Sequence, residues 1–288
     1  MKVSGFTIVR NAVQFDYPVV ESITSILPLC DEFIVAVGNS ADGTKDLIAS
    51  LNSSKIKILD TVWDDSLRIG GHVLATETNK AMDAVSSDCD WAIYLQADEV
   101  VHEKYLGPIR NAMEKWIDHT EVEGLLFDYL HFWGSYDFIG DSRKWYRKEV
   151  RIIRNDKLIR SYRDAQGFRK NGKKLRVALA GATVSHYGWV KPPESQQAKQ
   201  ESFNRYWHDD QWMENKVPKT KEFDYYSIGY LAPFRETHPE VMKDRIARKR
   251  WEFNYDPRKG KHSMKDDLLH FIENKTGWRI GEYKNYRL

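Results

Sequence analysis

Residues 88–99 read Asp-Cys-Asp-Trp-Ala-Ile-Tyr-Leu-Gln-Ala-Asp-Glu, and no other stretch of the 288-residue chain says more about its fold. The centre, Trp91–Leu95, is short and continuously apolar, which is typical of a buried strand in a parallel sheet. It is followed by two carboxylates, Asp98 and Glu99. Carboxylates at the mouth of a sheet are costly to desolvate unless they are paired or bind a cation. The stretch therefore predicts either a cation site or an acidic start to the next helix.

Strand and helix signals alternate on both sides of this stretch. Short apolar strands separated by amphipathic helices predict a mixed, mostly parallel sheet that is covered on both faces. In such sheets, ligands bind at the carboxyl ends of the strands. The predicted strands are Val3–Val9, Phe33–Val37, Lys55–Leu59 and Trp91–Leu95, and the predicted helices are Pro18–Leu29, Thr44–Leu51, His72–Val85 and Tyr105–Ile117.

The pattern changes after residue 120. Longer apolar segments predict further strands, and the polar stretch Tyr162–Lys174 is expected to be a loop. From Pro192 onward the sequence predicts an aromatic-rich helical extension. We expect residues 1–190 to form an α/β domain and residues 191–288 to pack on it. The later strands are predicted over Val122–Trp133, Trp145–Arg154 and Leu175–His186, and the later helices over 195–213, 237–253 and 263–275.

Composition narrows the class of protein. Hydrophobic residues make up 41% of the chain and the formal net charge is +2. No run approaches the roughly 20 apolar residues that a membrane-spanning helix needs, and the N-terminus shows no signal segment, so we expect a cytoplasmic protein. Cys30 and Cys89 lie far apart without a CxxC spacing. The sequence therefore argues against a zinc site and against a disulfide framework.

Basic residues are concentrated between Arg143 and Arg176. Such a block favours an anionic partner, and a set of solvated strand faces is an equally good interpretation. Together with the aromatic residues that follow, it would suit peripheral contact with a membrane. Core packing or a homodimer is the alternative use of those aromatic residues. No zinc spacing or RNA-binding signature supports nucleic-acid binding.

Two other segments carry side chains suited to ligand binding. The turn at residues 40–44, Ser-Ala-Asp-Gly-Thr, places backbone amides and a helix dipole at a strand end, where they favour an anion. An ordinary capped turn is the alternative. His186 ends an apolar run just before Gly188, where a strand would deliver an imidazole to a cleft. A structural histidine is the alternative there.

In this order, the segments resemble the GT-A-fold, family-2-like glycosyltransferases over residues 3 to about 190. The resemblance implies a Rossmann-like GT-A sheet in residues 1–190, with nucleotide-sugar binding in 1–100 and the acceptor side in 120–190. It also implies that Asp98 and His186 hold Mn²⁺ or Mg²⁺. The implied donor site comprises Thr7, Val9, Arg10, Asn11, Asn39, Asp42, Arg68, Asn79, Gln96, Ala97 and Asp98.

Two positions depart from the family pattern. Gln96 stands where the family's "D-x-D" motif has its first aspartate, and Asn39 stands where aspartate is frequent. Both changes remove negative charge from the implied donor site. Since an amide is a poor metal ligand, Asp98 would carry the metal together with His186 and the diphosphate oxygens.

The resemblance implies transfer of a sugar to an acceptor hydroxyl on a glycan or lipid-linked acceptor, as in cell-surface glycan or glycolipid synthesis. In an inverting reaction, a carboxylate deprotonates the attacking hydroxyl. Asp164 is the first candidate for this base, and Asp137 and Asp141 are the alternatives. Two competing interpretations remain: a binding protein with a decayed donor site, and a nucleotidyltransferase, although residues 10–18 lack the Gly-rich basic loop that usually binds the triphosphate.

Overall fold

The computed structural model describes residues 1–67, 70–217, 220–256 and 263–288. Its strands are β1 (Val3–Val9), β2 (Glu32–Val37), β3 (Ile56–Asp60), β4 (Trp91–Tyr94), β5 (Glu99–Val101), β6 (Gly124–Trp133), β7 (Phe138–Gly140), β8 (Lys148–Arg154), β9 (Ile159–Tyr162), β10 (Gly167–Lys170), β11 (Lys173–Lys174), β12 (Val177–Trp189) and β13 (Leu231–Pro233). Its α-helices are α1 (Val19–Ile26), α2 (Thr44–Ala49), α3 (His72–Asp83), α4 (Leu106–Lys115), α5 (Pro193–Asn204), α6 (Asp210–Lys216), α7 (Lys243–Ala247) and α8 (Met264–Thr276).

The main sheet has the order β13-β7-β6-β8-β4-β1-β2-β3. Strands β4, β1, β2 and β3 run parallel to one another, and β8 enters antiparallel between β4 and β6. Strand β12 lies parallel to β6 and pairs with β5 in the antiparallel sense. The predicted class, a mixed α/β sheet flanked by helices, is confirmed.

Alternate residues of β2 enter two hydrophobic cores, one on each face of the sheet. Phe33 and Val35 pack in the core that contains Ile23 of α1. Ile34 packs in the core that contains Val73 of α3. This division follows from strand geometry, because successive side chains point to opposite faces. Both faces are therefore covered, and every residue of β1 and β2 is buried.

The prediction of a loop over Tyr162–Lys174 is wrong. Strands β9, β10 and β11 form a small antiparallel sheet there. Charged residues hide the strand pattern, but Ile159 and Phe168 alternate with them and are fully buried in a core. Arg169, which looks like a surface residue in the sequence, is also buried and donates to the backbone oxygen of Asn285 at 3.2 Å.

Three other boundaries differ from expectation. Residues 99–101 form β5, so a strand rather than a helix follows Asp98. The helix predicted over 195–213 is divided into α5 and α6, with an irregular segment between them. Within the predicted helix 237–253, only a 3-10 turn over 240–242 and the short α7 are helical. Among the described residues, no helix combines the length and apolar character needed to cross a membrane.

The C-terminal region contacts the rest of the chain at several places. Strand β13 extends the sheet by pairing with β7. Tyr286 is buried in the core beside α3, and Arg287 forms a bridge with Arg176. The division into residues 1–190 and 191–288 stays a prediction. The aromatic residues of this region include Tyr225 and Phe253, which pack with Trp133 and so serve a core.

A buried ion pair joins β5 to β8. The guanidinium of Arg151 donates through Nε to Glu99 Oε2 and through Nη2 to Glu99 Oε1, both at 2.8 Å. The two side chains are 1% and 0% exposed. Tyr129 Oη also donates to Glu99 Oε1 at 3.0 Å, and the backbone nitrogen of Gln96 donates to Oε2 at 3.1 Å. Each carboxylate oxygen of Glu99 therefore accepts two hydrogen bonds from within the protein.

Removing one member of this pair should be more damaging than removing both. Glu99→Gln or Arg151→Met leaves a buried charge without its partner, and we expect either to lower the free energy of unfolding by about 3–5 kcal/mol. Urea unfolding measures this. The double variant Glu99→Leu/Arg151→Met should be more stable than either single variant. Single variants within about 1 kcal/mol of wild type would contradict the assigned role of the pair.

Candidate functional site

A cavity of about 550 Å³, here called the main cavity, lies at the carboxyl ends of β1 and β4. Val9 and Arg10 line it from the end of β1, and Gln96, Ala97 and Asp98 line it from the turn after β4. Its volume lies within the roughly 300–1,000 Å³ of small-molecule sites. Six of the predicted donor-binding and metal residues line this cavity: Val9, Arg10, Gln96, Ala97, Asp98 and His186.

Other predicted donor residues lie outside the main cavity and are engaged within the protein. Asp42 Oδ1 accepts from the backbone nitrogen of Thr44 at 3.2 Å, and its Oδ2 accepts from the backbone nitrogen of Gln14 at 2.7 Å. Asn39 Oδ1 accepts from the backbone nitrogen of Trp63 at 3.3 Å. Asn79 Oδ1 accepts from the backbone nitrogen of Ser161 at 2.9 Å, which ties α3 to β9.

Of the remaining three predicted donor residues, Thr7 and Asn11 do not line the main cavity either. Thr7 is fully buried inside β1. Asn11 has a φ of 55° and accepts, through Oδ1, from the backbone nitrogen of Ala41 at 3.2 Å. These contacts hold the turns beside the cavity in place. Arg68 lies outside the described residues.

Asp98 is the buried carboxylate of the main cavity. Its Oδ2 accepts from Lys199 Nζ at 3.1 Å, and its Oδ1 lies 3.7 Å from His186 Nε2. Burial alone would raise the pKa of Asp98, but the charges of Lys199, His186 and Lys191 outweigh it and hold that pKa well below its ordinary value. Asp98 is therefore ionised at neutral pH.

Gly188 is what allows Asp98 and His186 to approach each other. A Cβ atom at this position would lie 2.6 Å from both Asp98 Oδ2 and His186 Nε2. The backbone oxygen of Gly188 also accepts from Lys199 Nζ at 2.9 Å. A side chain at this position would displace Asp98 or His186.

His186 is itself held by a second buried histidine. His131 Nδ1 lies 3.1 Å from His186 Nδ1, and His131 Nε2 lies 2.8 Å from the backbone oxygen of Tyr146. Burial, and then the nearby His186, lower the pKa of His131 to about 3. His131 is therefore neutral at neutral pH, and burial also lowers the pKa of His186.

Several buried polar atoms on the residues around the main cavity have no hydrogen-bond partner among the described residues. Buried polar groups in native proteins are nearly always satisfied, by protein, by water or by a ligand. The atoms are Arg10 Nε, Trp63 Nε1, Gln196 Oε1, Gln200 Oε1 and Trp207 Nε1.

Glu99, which follows Asp98, cannot serve as a second metal ligand because Arg151 and Tyr129 occupy its oxygens. Within the described ranges, no group of three or more His, Cys, Asp or Glu side chains is placed to hold a metal ion. However, Mg²⁺ in nucleotide sites usually binds one or two protein ligands, with phosphate and water oxygens completing its shell. Asp98 Oδ1 and His186 Nε2, at 3.7 Å, fit that smaller ligand set.

Sequence reasoning missed Lys199. This lysine lies on α5 and is 101 positions from Asp98, so neither residue signals the other in the sequence. Gln196, Lys199, Gln200 and Phe203 share one face of α5 and all line the main cavity. Their i, i+3, i+4, i+7 spacing is the available signal. It shows a common face, but not that the face covers a cavity.

A second cavity of about 390 Å³ adjoins the first, and both are lined by Tyr146, Asp164 and Gln166. Basic residues of the 143–176 block line the second cavity, although several are paired, as Arg147 is with Glu282 at 2.9 Å. Asp164 is partly exposed and has no hydrogen bond or ion pair with another described residue. A carboxylate with no hydrogen-bond or ion-pair partner among the described residues thus lies where the two cavities meet.

The other two candidate bases lie elsewhere. Asp137 is exposed and accepts from Ser135 Oγ at 2.9 Å. Asp141 lies 3.1 Å from His270 Nε2. Neither residue lines the main cavity or the second cavity. Their placement leaves Asp164 as the candidate that can reach both.

No protein-family model and no curated protein matches the chain. Among solved structures, it is similar to S. aureus TarS, at 12% identity and a TM-score of 0.39, over 70% of this chain and 39% of that chain. It is also similar to S. aureus TarS 1–349 in complex with UDP, at 13% identity and a TM-score of 0.39, over 70% and 64% of the two chains.

A third similar structure is glucosyl-3-phosphoglycerate synthase from Mycobacterium tuberculosis in complex with Mn²⁺, UDP and phosphoglyceric acid. The identity is 15% and the TM-score 0.32, over 45% of this chain and 43% of that chain. This chain spans less than two thirds of the length of each of these proteins.

Glu149 lies at the second cavity and is 2% exposed. Burial raises the pKa of Glu149 to about 7 from an ordinary 4.5, and Asn285 Nδ2 donates to its Oε2 at 3.3 Å. The folded protein therefore retains this proton at a pH where the unfolded chain has lost it. Glu149 consequently makes folding less favourable as the pH rises from about 4.5 to about 7.

Glu149→Gln should remove this pH dependence. We expect the free energy of unfolding of the variant to gain up to about 3 kcal/mol over that of wild type as the pH rises from about 5 to about 8. Chemical denaturation at several pH values measures the difference. Glu214→Gln, at an exposed position, is the control and should show a constant difference. The same flat profile for Glu149→Gln would refute the assignment.

Proposed function

We propose that the chain is a glycosyltransferase that binds a nucleoside-diphosphate sugar in the main cavity and transfers the sugar to an acceptor hydroxyl. The observation that carries this proposal is the ionised Asp98 between Lys199 and His186, at 3.1 and 3.7 Å, at the end of β4. Lys199 would supply positive charge, and Asp98 and His186 beside it would bind a divalent cation. A diphosphate leaving group needs both.

Negative charge develops on the diphosphate as it leaves, and the site must stabilise this charge to lower the activation barrier. Preorganised cationic donors stabilise such charge most strongly where water is excluded. Lys199, whose side chain is 13% exposed, lies in such a position. A divalent cation held by Asp98 and His186 would supply further charge neutralisation for the same group.

The nucleoside would occupy the aromatic side of the main cavity. Trp63 and Tyr206 both line it, and their ring centroids are 5.5 Å apart. Arg10 lies over the Trp63 ring at 5.8 Å and is paired with Asp65. Aromatic faces with polar groups beside them suit a base and a ribose.

Asp164 is the proposed general base. It lies between the main cavity, which would hold the donor, and the second cavity, which would admit the acceptor. Its carboxylate takes the proton of the acceptor hydroxyl while that oxygen forms a bond to the anomeric carbon. The bond from the anomeric carbon to the diphosphate breaks, and the nucleoside diphosphate leaves with the electron pair. Attack from the face opposite the leaving group inverts the anomeric configuration.

The alternative is a nucleotide-binding or carbohydrate-binding protein with a decayed donor site. Gln96 is the observation in its favour, because its amide replaces a carboxylate and lies 3.5 Å from the backbone oxygen of Ala165. A glycan or lipid-linked acceptor, peripheral membrane contact and a homodimer stay predictions. So does the choice between Mn²⁺ and Mg²⁺.

A panel of nucleotide sugars separates the enzyme from the binding protein. With Mn²⁺ or Mg²⁺ present, we expect one donor to release its nucleoside diphosphate, and Asp98→Asn to slow this release by about 10²-fold or more because it removes charge from the cation site. A coupled assay for nucleoside diphosphate measures the rate. Asp137→Asn is the control and should keep the wild-type rate. Tight binding of nucleoside diphosphates without release from any donor would favour the binding protein.

Asp164→Asn tests the base separately from donor binding. We expect transfer to fall by about 10²-fold or more, because the amide cannot accept the proton of the acceptor. Affinity for the nucleoside diphosphate, measured by calorimetry, should change by less than about threefold. Asp141→Asn is the matched control and should transfer at the wild-type rate. A loss below about threefold in Asp164→Asn would exclude it as the base.

A further inference from the structure

The two buried histidines lie side by side because of strand register. His131 of β6 and His186 of β12 are direct partners in a parallel pairing. Their ring centroids are 5.1 Å apart and their planes cross at 71°. This angle allows a nitrogen of one ring to point at a nitrogen of the other, and the two Nδ1 atoms are 3.1 Å apart.

The backbone oxygen of Tyr146 sets the direction of the hydrogen bonds. A carbonyl oxygen only accepts, so His131 Nε2, at 2.8 Å from it, must carry a proton. A neutral imidazole has one proton, which leaves His131 Nδ1 as an acceptor. The proton in the contact between the rings therefore belongs to His186 Nδ1. His186 Nε2 then carries a lone pair.

That lone pair lies opposite a carboxylate oxygen. His186 Nε2 and Asp98 Oδ1, both acceptors in this arrangement, are 3.7 Å apart. The other oxygen of Asp98 accepts from Lys199 Nζ at 3.1 Å. Two facing acceptors repel each other unless a cation or a proton lies between them. In metal sites, a ligating histidine almost always donates its other ring N–H to an acceptor such as a carboxylate, a backbone carbonyl or water. Here the acceptor is His131 Nδ1.

Aromatic rings keep His131 from turning. Trp145 stacks on it with a centroid distance of 5.0 Å and an angle of 24°, and Tyr129 stacks at 5.5 Å and 28°. Tyr146 packs edge-on at 4.4 Å. Rotation of the ring about its χ2 torsion would need all three neighbours to move. The hydrogen-bond direction is therefore built into the core between β6 and β8.

We propose that His131 is a positioning residue that fixes His186 in the tautomer protonated at Nδ1, so that His186 Nε2 and Asp98 Oδ1 together form a ready divalent-cation site. His131 does not touch the cation or the donor. It acts only through His186. This inference deepens the proposed function and rests on it for the purpose of the site, whereas the tautomer itself does not depend on any reaction.

The tautomers are measured directly by NMR. In ¹⁵N-histidine-labelled protein at about pH 7.5 without metal, long-range ¹H–¹⁵N spectra distinguish Nδ1–H from Nε2–H. His131→Asn and His186→Gln assign the two residues. We expect Nε2–H for His131 and Nδ1–H for His186. A His186 ring protonated at Nε2 would overturn the proposal, whatever the result with nucleotide sugars.

Metal affinity gives a second readout that does not require turnover. Mn²⁺ binding is measured from the electron paramagnetic resonance signal of the free ion. His131→Leu removes the acceptor, and we expect it to weaken Mn²⁺ binding by about 10–100-fold. His131→Asn keeps an oxygen acceptor near the position of Nδ1 and should stay within about threefold of wild type. Thermal melts establish that both variants are folded.

Equal losses in the two variants, or no loss in either, would overturn the proposal. Its failure is distinguishable from failure of the proposed function. If the tautomers and the Mn²⁺ pattern hold but no nucleotide sugar reacts, the cation site stands and the glycosyltransferase does not. If a donor reacts and the tautomers are reversed, the glycosyltransferase stands and the positioning role of His131 does not.

Discussion

The Glu99–Arg151 ion pair is the interaction on which the geometry of the site depends. It joins β5 to β8 through two contacts of 2.8 Å in a region that is fully buried. Because Glu99 is held from several sides, the turn that precedes it is also held, and Asp98 is directed into the main cavity. The backbone oxygen of Asp98 accepts from the backbone nitrogen of Tyr187 at 2.8 Å, which fixes the turn against β12. Two adjacent carboxylates therefore have separate tasks.

The sequence predicts the part of the fold that local patterns determine. The apolar strands β1, β2 and β4 and the helices between them were placed within a few residues, because buried parallel strands carry an unmistakable composition. The strand ends at Val9, Arg10 and 96–98 indicated the cavity for the same reason. His186 was found because it ends an apolar run. The prediction of a loop at Tyr162–Lys174 is wrong because Arg and Lys residues make this segment polar. The side chains that alternate with them are buried, as in a strand.

Contacts between segments that are distant in the chain could not be predicted from local sequence patterns. Lys199 reaches Asp98 because α5 crosses the open end of the sheet, and no pattern in α5 reports that crossing. His131 looks like one more residue of an apolar strand, and its pairing with His186 depends on the register between β6 and β12. The polar turn around Asp42 is a further example. Its composition predicts donor binding, which stays a prediction, while its side chain accepts hydrogen bonds from the backbone nitrogens of Thr44 and Gln14. A residue's type indicates what chemistry it can perform, but its position in the folded structure decides whether it belongs to a site.

The central claim is that Asp98, His186 and Lys199 together receive the diphosphate of a nucleotide sugar. The most direct test is a crystal structure of the protein with Mn²⁺ and the nucleoside diphosphate of the donor found by screening, with anomalous data collected near the manganese edge. We expect an anomalous peak within bonding distance of Asp98 Oδ1 and His186 Nε2, with the diphosphate beside Lys199 in the main cavity. A nucleotide bound outside this cavity, or a manganese ion at other side chains, would contradict it.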